Sequence, residues 1–461
     1  MSNLALAPVR SVLDLIGNTP MVELTRLETG NSRLFVKLEN QNPGGSIKDR
    51  IGLAMIQAAE LDGRLKPGGT IIEATAGNTG LGLALVAAQK TYRLILVIPD
   101  KMSQEKIWHL KALGTEILLT RSDVGKGHPD YYQDKAQRLA REIPGAFFVN
   151  QFENPANPRA HEATTGPEIW RQMNHDMDAM VCGVGSGGTI TGLGRFFRRM
   201  APNVEMILAD PAGSILADYI NKGELHEPTG SWLVEGIGED FIPPVSDLSL
   251  VKRAYTVTDR EAMETARTLL HEEGLLVGSS TGVLVAAALR YCRAHTTPKR
   301  VVTLVCDSGN KYLSKMYNDF WMEDQGLIDR PHTGTLADLI ARKHSERAAI
   351  FVAPDDTLLT AHARMKLYDV SQLPVLERDR VVGLVDESDI LLAVHGCSDC
   401  FKDTVRTHMT EKLDTVLPAQ PIDALLPIFA RDHVAIVRDG EKFLGLITRI
   451  DLLNYLRRKL T

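Results

Sequence analysis

Between residues 11 and 325, short β-branched runs alternate with stretches of helical periodicity, and this alternation restricts the chain to parallel strands joined by crossover helices. Residues 94–99, 115–119 and 147–150 read as strands, and 104–113 and 131–142 as helices. The fold class is therefore α/β. Glycines gather where strands pass into helices, at Gly44 and Gly45, Gly77 and Gly80, Gly185 to Gly188, and Gly278 with Gly282. Open parallel sheets bind ligands at the carboxyl ends of their strands, so these four junctions mark the candidate site.

The 461 residues supply roughly two to four folded units. With 52 basic against 58 acidic residues and a net charge of −6, the chain has no general attraction for nucleic acid or anionic lipid. The longest apolar stretches, near 81–88 and 283–289, fall short of the roughly 20 residues that span a bilayer, so no membrane segment is expected. The first ten residues lack a basic run followed by a long apolar core, and five scattered cysteines suit a reducing compartment; both point to the cytoplasm. Cys397 and Cys400, with His395 nearby, have no second pair at metal-ligand spacing, so no metal site is expected. His161 and His271 read as polar surface or capping residues.

Four clusters bear on chemistry. In Asn42-Pro43-Gly44-Gly45-Ser46-Ile47-Lys48-Asp49-Arg50, Lys48 stands at the start of a helical pattern, where the helix dipole opposes protonation and favours a nucleophilic amine. Thr75-Ala76-Gly77-Asn78-Thr79-Gly80 presents hydroxyl, amide and backbone donors on a strand-to-helix turn. Gly185-Ser186-Gly187-Gly188-Thr189 leads an apolar strand into a helix and suits one phosphate; it lacks the Gly-Lys-Ser/Thr of a nucleotide loop and the glycine spacing of a dinucleotide fold. Ser280, in Gly278-Ser279-Ser280-Thr281-Gly282, can hydrogen-bond a ring nitrogen without supplying charge. Each cluster alone also reads as a turn or a helix cap. Together they describe a ligand with an aldehyde, one phosphate and a ring nitrogen, which is pyridoxal 5′-phosphate.

With Gly17-Asn18-Thr19-Pro20 before them, these motifs resemble, in order, those of the fold-type II pyridoxal-phosphate enzymes, the family of cysteine synthase and cystathionine β-synthase. The resemblance implies two open parallel-sheet subdomains over residues 1–325, with Lys48 as the Schiff-base lysine and Asn78 at the cofactor's 3′ oxygen. It places Gly185, Ser186, Gly187, Gly188 and Thr189 at the phosphate and Ser280 at the pyridine nitrogen. Thr75, Ala76, Gly77, Thr79 and Gln151 would hold the substrate, with Glu235 and Gly236 completing that set. The run from Glu235 to Pro243 is similar to the cystathionine β-synthase branch, and implies condensation of L-serine with L-homocysteine to cystathionine and water, as in transsulfuration and cysteine biosynthesis, with hydrogen sulfide as a further product. Residues 150–168 are closer to cysteine synthase, which makes cysteine from O-acetylserine and sulfide, and that activity is the alternative. Phe152 and Glu239 stand where the family has tyrosine, and Ala76 where serine is common, which bears on thiol selection. The run before the catalytic motifs is short, so haem is not expected.

After a polar linker at 326–334 the chain contains a weak repeat: 382–392 recurs at 444–454, with Asp389 and Asp451 standing 62 residues apart. Residues 335–396 and 402–461 resemble a tandem pair of CBS domains. That resemblance implies a regulatory adenosyl ligand, S-adenosylmethionine or an adenine nucleotide, held by Thr448 and Asp451. Asp386 replaces the usual threonine in the first copy, so one site is expected rather than two. A homodimer or larger homo-oligomer is also implied.

Overall fold

Aliphatic and β-branched runs form strands covered on both faces; in Arg93–Pro99 every residue after the first is buried. The computed structural model describes residues 8–75, 77–100, 104–121, 123–124, 127–225, 230–329 and 334–458. It divides into two units, Met1–Tyr317 and Asn318–Thr461.

The first unit holds two sheets. The larger runs, in spatial order, Met21–Leu24, Arg33–Leu38, Arg300–Val305, Ala179–Cys182, Glu205–Pro211 and Arg253–Val257, its first pair antiparallel and the rest parallel. The smaller is wholly parallel: Glu116–Thr120, Arg93–Pro99, Thr70–Ala74 and Ala146–Phe148. The chain leaves the larger sheet after Arg33–Leu38, builds the smaller one and returns, so the two-subdomain α/β body is as anticipated. Element ends differ from the expected limits by one or two residues: the helix read at 104–113 is Gln104–Ala112 and the strand read at 147–150 is Ala146–Phe148.

Two glycines position the functional helices. A Cβ on Gly52 would lie 2.8 Å from the carbonyl carbon of Gly82, and one on Gly82 would lie 2.7 Å from the carbonyl oxygen of Lys48. Helices Lys48–Leu61 and Asn78–Lys90 therefore touch backbone to backbone, Lys48 at the start of one lying against Gly82, one turn after Asn78, in the other. Below Lys48 lies a buried ionic network. Arg50 forks onto Glu39 at 2.7 and 2.9 Å and onto Glu168 at 2.8 and 2.7 Å, and Lys37 adds a 2.8 Å contact to Glu168. Thr19 and Asn42 bond the same Glu39 carboxylate, so the Gly17–Pro20 motif and the Lys48 loop share one anchor.

In the second unit, hairpin Gln372–Glu377 with Arg380–Asp386 is repeated as Ala435–Asp439 with Lys442–Ile447, the latter extended by Thr415–Val416. Both hairpins shift register at equivalent points, between Val375 and Leu376 and between Val437 and Arg438. A helix follows each, Glu387–Val394 and Arg449–Arg458. Helix Asp319–Asp324, read above as part of the body, belongs to this unit, where Arg457 bonds Asp324 at 2.6 Å. Cys397 and Cys400 are joined by a disulfide, while Cys182, Cys292 and Cys306 are free. Among the described residues no helix is long and apolar enough to cross a membrane, and no group of three or more metal-ligating side chains is clustered.

Burial alone would raise the Glu168 carboxyl, but the hydrogen bonds and charge of Arg50, with Lys37, bring it down to about 2. Its stabilising contribution is therefore complete above the ordinary carboxylate range and is lost only as the pH falls toward 2. Arg50→Met leaves Glu39 and Glu168 uncompensated and is expected to cost about 3–5 kcal/mol in urea denaturation at pH 7. A loss below about 1 kcal/mol, the level of a surface pair, would show that the network does not anchor the helix.

Candidate active site

Lys48 is the first residue of its helix, with its N–H on Ser46 Oγ at 3.2 Å. Its side chain remains partly accessible. Burial holds its amine below the ordinary lysine range, against the opposing charges of Cys306, Glu239 and Asp307. Desolvation of this kind favours the unprotonated amine, the form that acts as nucleophile and base.

Asn78 opens the neighbouring helix, its Nδ2 donating to Asp307 Oδ2 at 2.8 Å and its Oδ1 accepting from Lys311 Nζ at 2.8 Å. On the turn before it, buried Thr75 accepts the Gly77 N–H at 3.2 Å. Thr79 Oγ1 donates to Gln151 Oε1 at 2.7 Å, so the residues expected around the substrate carboxylate are drawn together from two loops. Ala76 lies outside the described residues.

Gly185, Ser186, Gly187, Gly188 and Thr189 lead from strand Ala179–Cys182 into helix Gly188–Met200. Gly187 has φ 83°, a conformation open to glycine, and a Cβ on Gly185 would come within 2.5 Å of the Gly236 carbonyl oxygen. Asn157 Nδ2 ties this loop to the previous one, donating to Ser186 Oγ at 3.0 Å and to the Gln151 carbonyl at 2.9 Å. Behind the loop, His161 Nε2 pairs with Thr189 Oγ1 at 3.2 Å and its Nδ1 with Thr165 Oγ1 at 3.0 Å. His161 is fully buried rather than a surface or capping residue, and burial keeps it neutral. His271, in the last turn of helix Asp259–Glu273, is exposed.

Ser280 is buried in the first turn of helix Ser279–Ala294 and hydrogen-bonds Cys306, whose thiol burial pushes up to about 12. Lys48 is coupled to the same thiol, so Ser280, Cys306 and Lys48 share one neighbourhood. The Glu235 N–H bonds Ser279 Oγ at 3.0 Å, and its carboxylate is held by Lys106 and by Lys315 at 2.7 Å. Gly236 has φ 87°, and the Gly238 N–H returns to the Val184 carbonyl at 2.8 Å, which closes this turn over the glycine loop. Burial, reinforced by Asp240, pushes the Glu239 carboxyl up to about 8, and Lys48 pulls it the other way.

These donors fit pyridoxal 5′-phosphate. The backbone amides that open helix Gly188–Met200 have no acceptor within their own helix. Against Gly187, where a Cβ would fall 1.7 Å from it, lies Ser246 Oγ, a buried hydroxyl with no partner. Such a surplus of donors suits a phosphate dianion, the desolvated amine suits an aldehyde, and the uncharged Ser280 hydroxyl suits a pyridine nitrogen. Asn157, Ser246, Asp307 and Lys311 were given no site role from sequence, and His161 was read there as a polar surface or capping residue. Asn157 and His161 do fall in the run 150–168 that carries the cysteine-synthase likeness, which was the signal for them.

In the second unit, Thr448 donates its Oγ1 to Asp451 Oδ2 at 2.5 Å and its N–H at 2.7 Å, as Asp386 and Asp389 cap the equivalent helix of the first copy. Thr448 and Asp451 border a cavity of about 550 Å³, also lined by Arg342, Ile350, Pro374 and Phe443.

Residues 12–307 match the family described as pyridoxal-phosphate dependent enzyme, and residues 341–396 and 405–458 match the CBS domain. The chain is 36% identical to the cystathionine β-synthase of Dictyostelium discoideum, over 97% of this chain and 92% of that protein. It is 41% identical to cysteine synthase 1 of Emericella nidulans over 69% of this chain and 87% of that protein. Among solved structures it is similar to a hydrogen sulfide-producing enzyme from Fusobacterium nucleatum, with TM-score 0.62 and 39% identity over 66% of this chain and all of that one. The glycine-lined body with Lys48 and Asn78 at helix starts, and the duplicated tail that follows it in the sequence, belong to one long match: the chain is a member of the cystathionine β-synthase family of pyridoxal-phosphate-dependent enzymes.

Proposed function

We propose that this chain condenses L-serine with L-homocysteine, giving cystathionine and water. The observation that carries this reading is the union of the Lys48 body with a tandem tail along 97% of the chain at 36% identity to a cystathionine β-synthase, whereas the cysteine synthase likeness covers 69%.

Pyridoxal phosphate, when bound, supplies an aldehyde that condenses with amines and a conjugated ring that disperses the electron pair released at the substrate α-carbon. Lys48 would hold the aldehyde carbon, Asn78 the 3′ oxygen, the 185–189 loop the phosphate and Ser280 the ring nitrogen. Thr75, Gly77, Thr79 and Gln151 would orient the serine carboxylate, and Ala76, Glu235 and Gly236 complete the substrate-binding set. Lys48 Nζ, its affinity for a proton lowered by burial, takes the α-proton and returns a proton to the departing hydroxyl, which leaves as water. Ser280 offers a hydroxyl rather than a carboxylate, so it would hydrogen-bond the ring nitrogen without promoting its protonation, which would favour loss of the β-substituent over transamination. The homocysteine thiol then gives its proton to Lys48 Nζ, its sulfur forms the new carbon–sulfur bond at the β-carbon, and Lys48 passes that proton to the α-carbon.

O-acetylserine sulfhydrylase activity is the second reading, favoured by the cysteine-synthase-like run at 150–168. A cytoplasmic setting is favoured by the three free cysteines and opposed by the Cys397–Cys400 disulfide, and a homo-oligomer is proposed on the family resemblance. The tail cavity is assigned to an adenosyl ligand. Three carboxylates, Asp369, Asp432 and Asp451, line it against two guanidinium groups, Arg342 and Arg449, which suits a sulfonium such as S-adenosylmethionine better than a triphosphate.

Steady-state assays should give serine plus homocysteine a kcat/KM at least about tenfold above that for O-acetylserine plus sulfide, a gap of about 1.4 kcal/mol. The reverse ranking would overturn the assignment. Lys48→Ala should lose at least about 1000-fold in rate if Lys48 moves the proton. For the tail, calorimetry on the full chain should show S-adenosylmethionine binding, weakened about tenfold or more by Asp451→Asn. Absence of binding, or an unaffected variant, would remove Asp451 from that role.

A further inference from the structure

Lys311 lies 8% exposed at the edge of the crevice, and its ammonium spends its three donors on uncharged acceptors: Asn78 Oδ1 at 2.8 Å and the Gly44 and Gly45 carbonyls at 3.3 Å each. Those carbonyls belong to the loop that delivers Lys48, whereas Asn78 opens the helix packed against it. The segment bearing Lys311 is stitched to the same loop: the Ile47 N–H bonds the Cys306 carbonyl at 2.9 Å, and the Ser308 N–H bonds the Gly45 carbonyl at 3.1 Å.

The chemistry of the two neighbours fixes which way the Asn78 amide faces. An ammonium can only donate, so it selects Oδ1; an ionised carboxylate can only accept, so Asp307 selects Nδ2, at 2.8 Å. Tyr312 bonds the same Asp307 oxygen at 2.7 Å and holds it there. One N–H of Asn78 is left over, and its donor character no longer depends on any choice made by the amide.

Resting on the cofactor reading above, we propose that Lys311 is a positioning residue: it locks the Asn78 carboxamide as a donor toward the cofactor's 3′ oxygen and clamps the Lys48 loop to the Asn78 helix. Without a donor-only group at this position Asp307 alone opposes the turn that would carry the amide oxygen into the crevice, where it would oppose an electron-rich oxygen instead of supporting it.

The test uses the purified holoenzyme and its Lys311→Met, Lys311→Gln and Lys311→Arg variants. Lys311→Met should retain cofactor yet show a displaced or weakened visible absorption and circular dichroism band. Its kcat should fall about 10- to 100-fold, as expected for a misplaced reacting group, with KM for serine changed far less. Should Lys311→Met fail to fold, Lys311→Gln still donates to the loop carbonyls but is not donor-only, and should show the same spectral change. Lys311→Arg, which again can only donate, should restore the band. A folded Met or Gln variant with the wild-type band and kcat overturns the proposal while leaving the cofactor reading intact. A wild-type protein with no such band would overturn the cofactor reading itself.

Discussion

The close crossing of helices Lys48–Leu61 and Asn78–Lys90 is the constraint on which the rest of the site depends. With glycine at positions 52 and 82 the two backbones approach until no Cβ fits between them, and the starts of both helices arrive at one wall of the crevice. Helix starts carry unpaired amides and positive potential, which serve electron-rich groups of a ligand and disfavour protonation of a nearby amine. The Arg50 network sits directly behind this wall. It ties the Lys48 helix to Glu39 on one side and Glu168 on the other, so that Lys48 extends from a rigid base.

The second wall is built by the same device. Gly188–Met200 and Ser279–Ala294 also begin at the crevice, and the turn at 235–239 closes against the glycine loop through Gly185 and Gly236. Four helix starts thus converge from different parts of the chain. The polar side chains between them, Asn157, His161, Asp307 and Lys311, act as struts that tie one loop to the next.

Much of this was legible in the amino-acid order because glycine at a strand-to-helix junction is a local signal. The parallel strands declared themselves through continuous apolar runs, and the repeat in the tail through the recurrence of one run and its aspartate; the matching register shifts after Val375 and Val437 came only with the structure. The struts were not legible, because their meaning lies in pairings across long separations. Lys311 reaches Asn78 over 233 residues and Asp307 reaches it over 229. His161 looked like a surface residue because no spacing around it suggests a ligand; only the fold buries it behind Thr189. Glu239 stood out solely as a departure from tyrosine, and its raised carboxyl opposite Lys48 follows from burial that no local pattern announces.

The central claim is that one amine, the Nζ of Lys48, bonds covalently to the B6 aldehyde. Borohydride treatment of the holoenzyme followed by proteolysis and mass spectrometry reads that bond directly. The pyridoxyl mass should appear on the peptide containing Lys48, with Lys106, Lys311 and Lys315 unlabelled. Label on any of those three instead, or none at Lys48, would contradict the account.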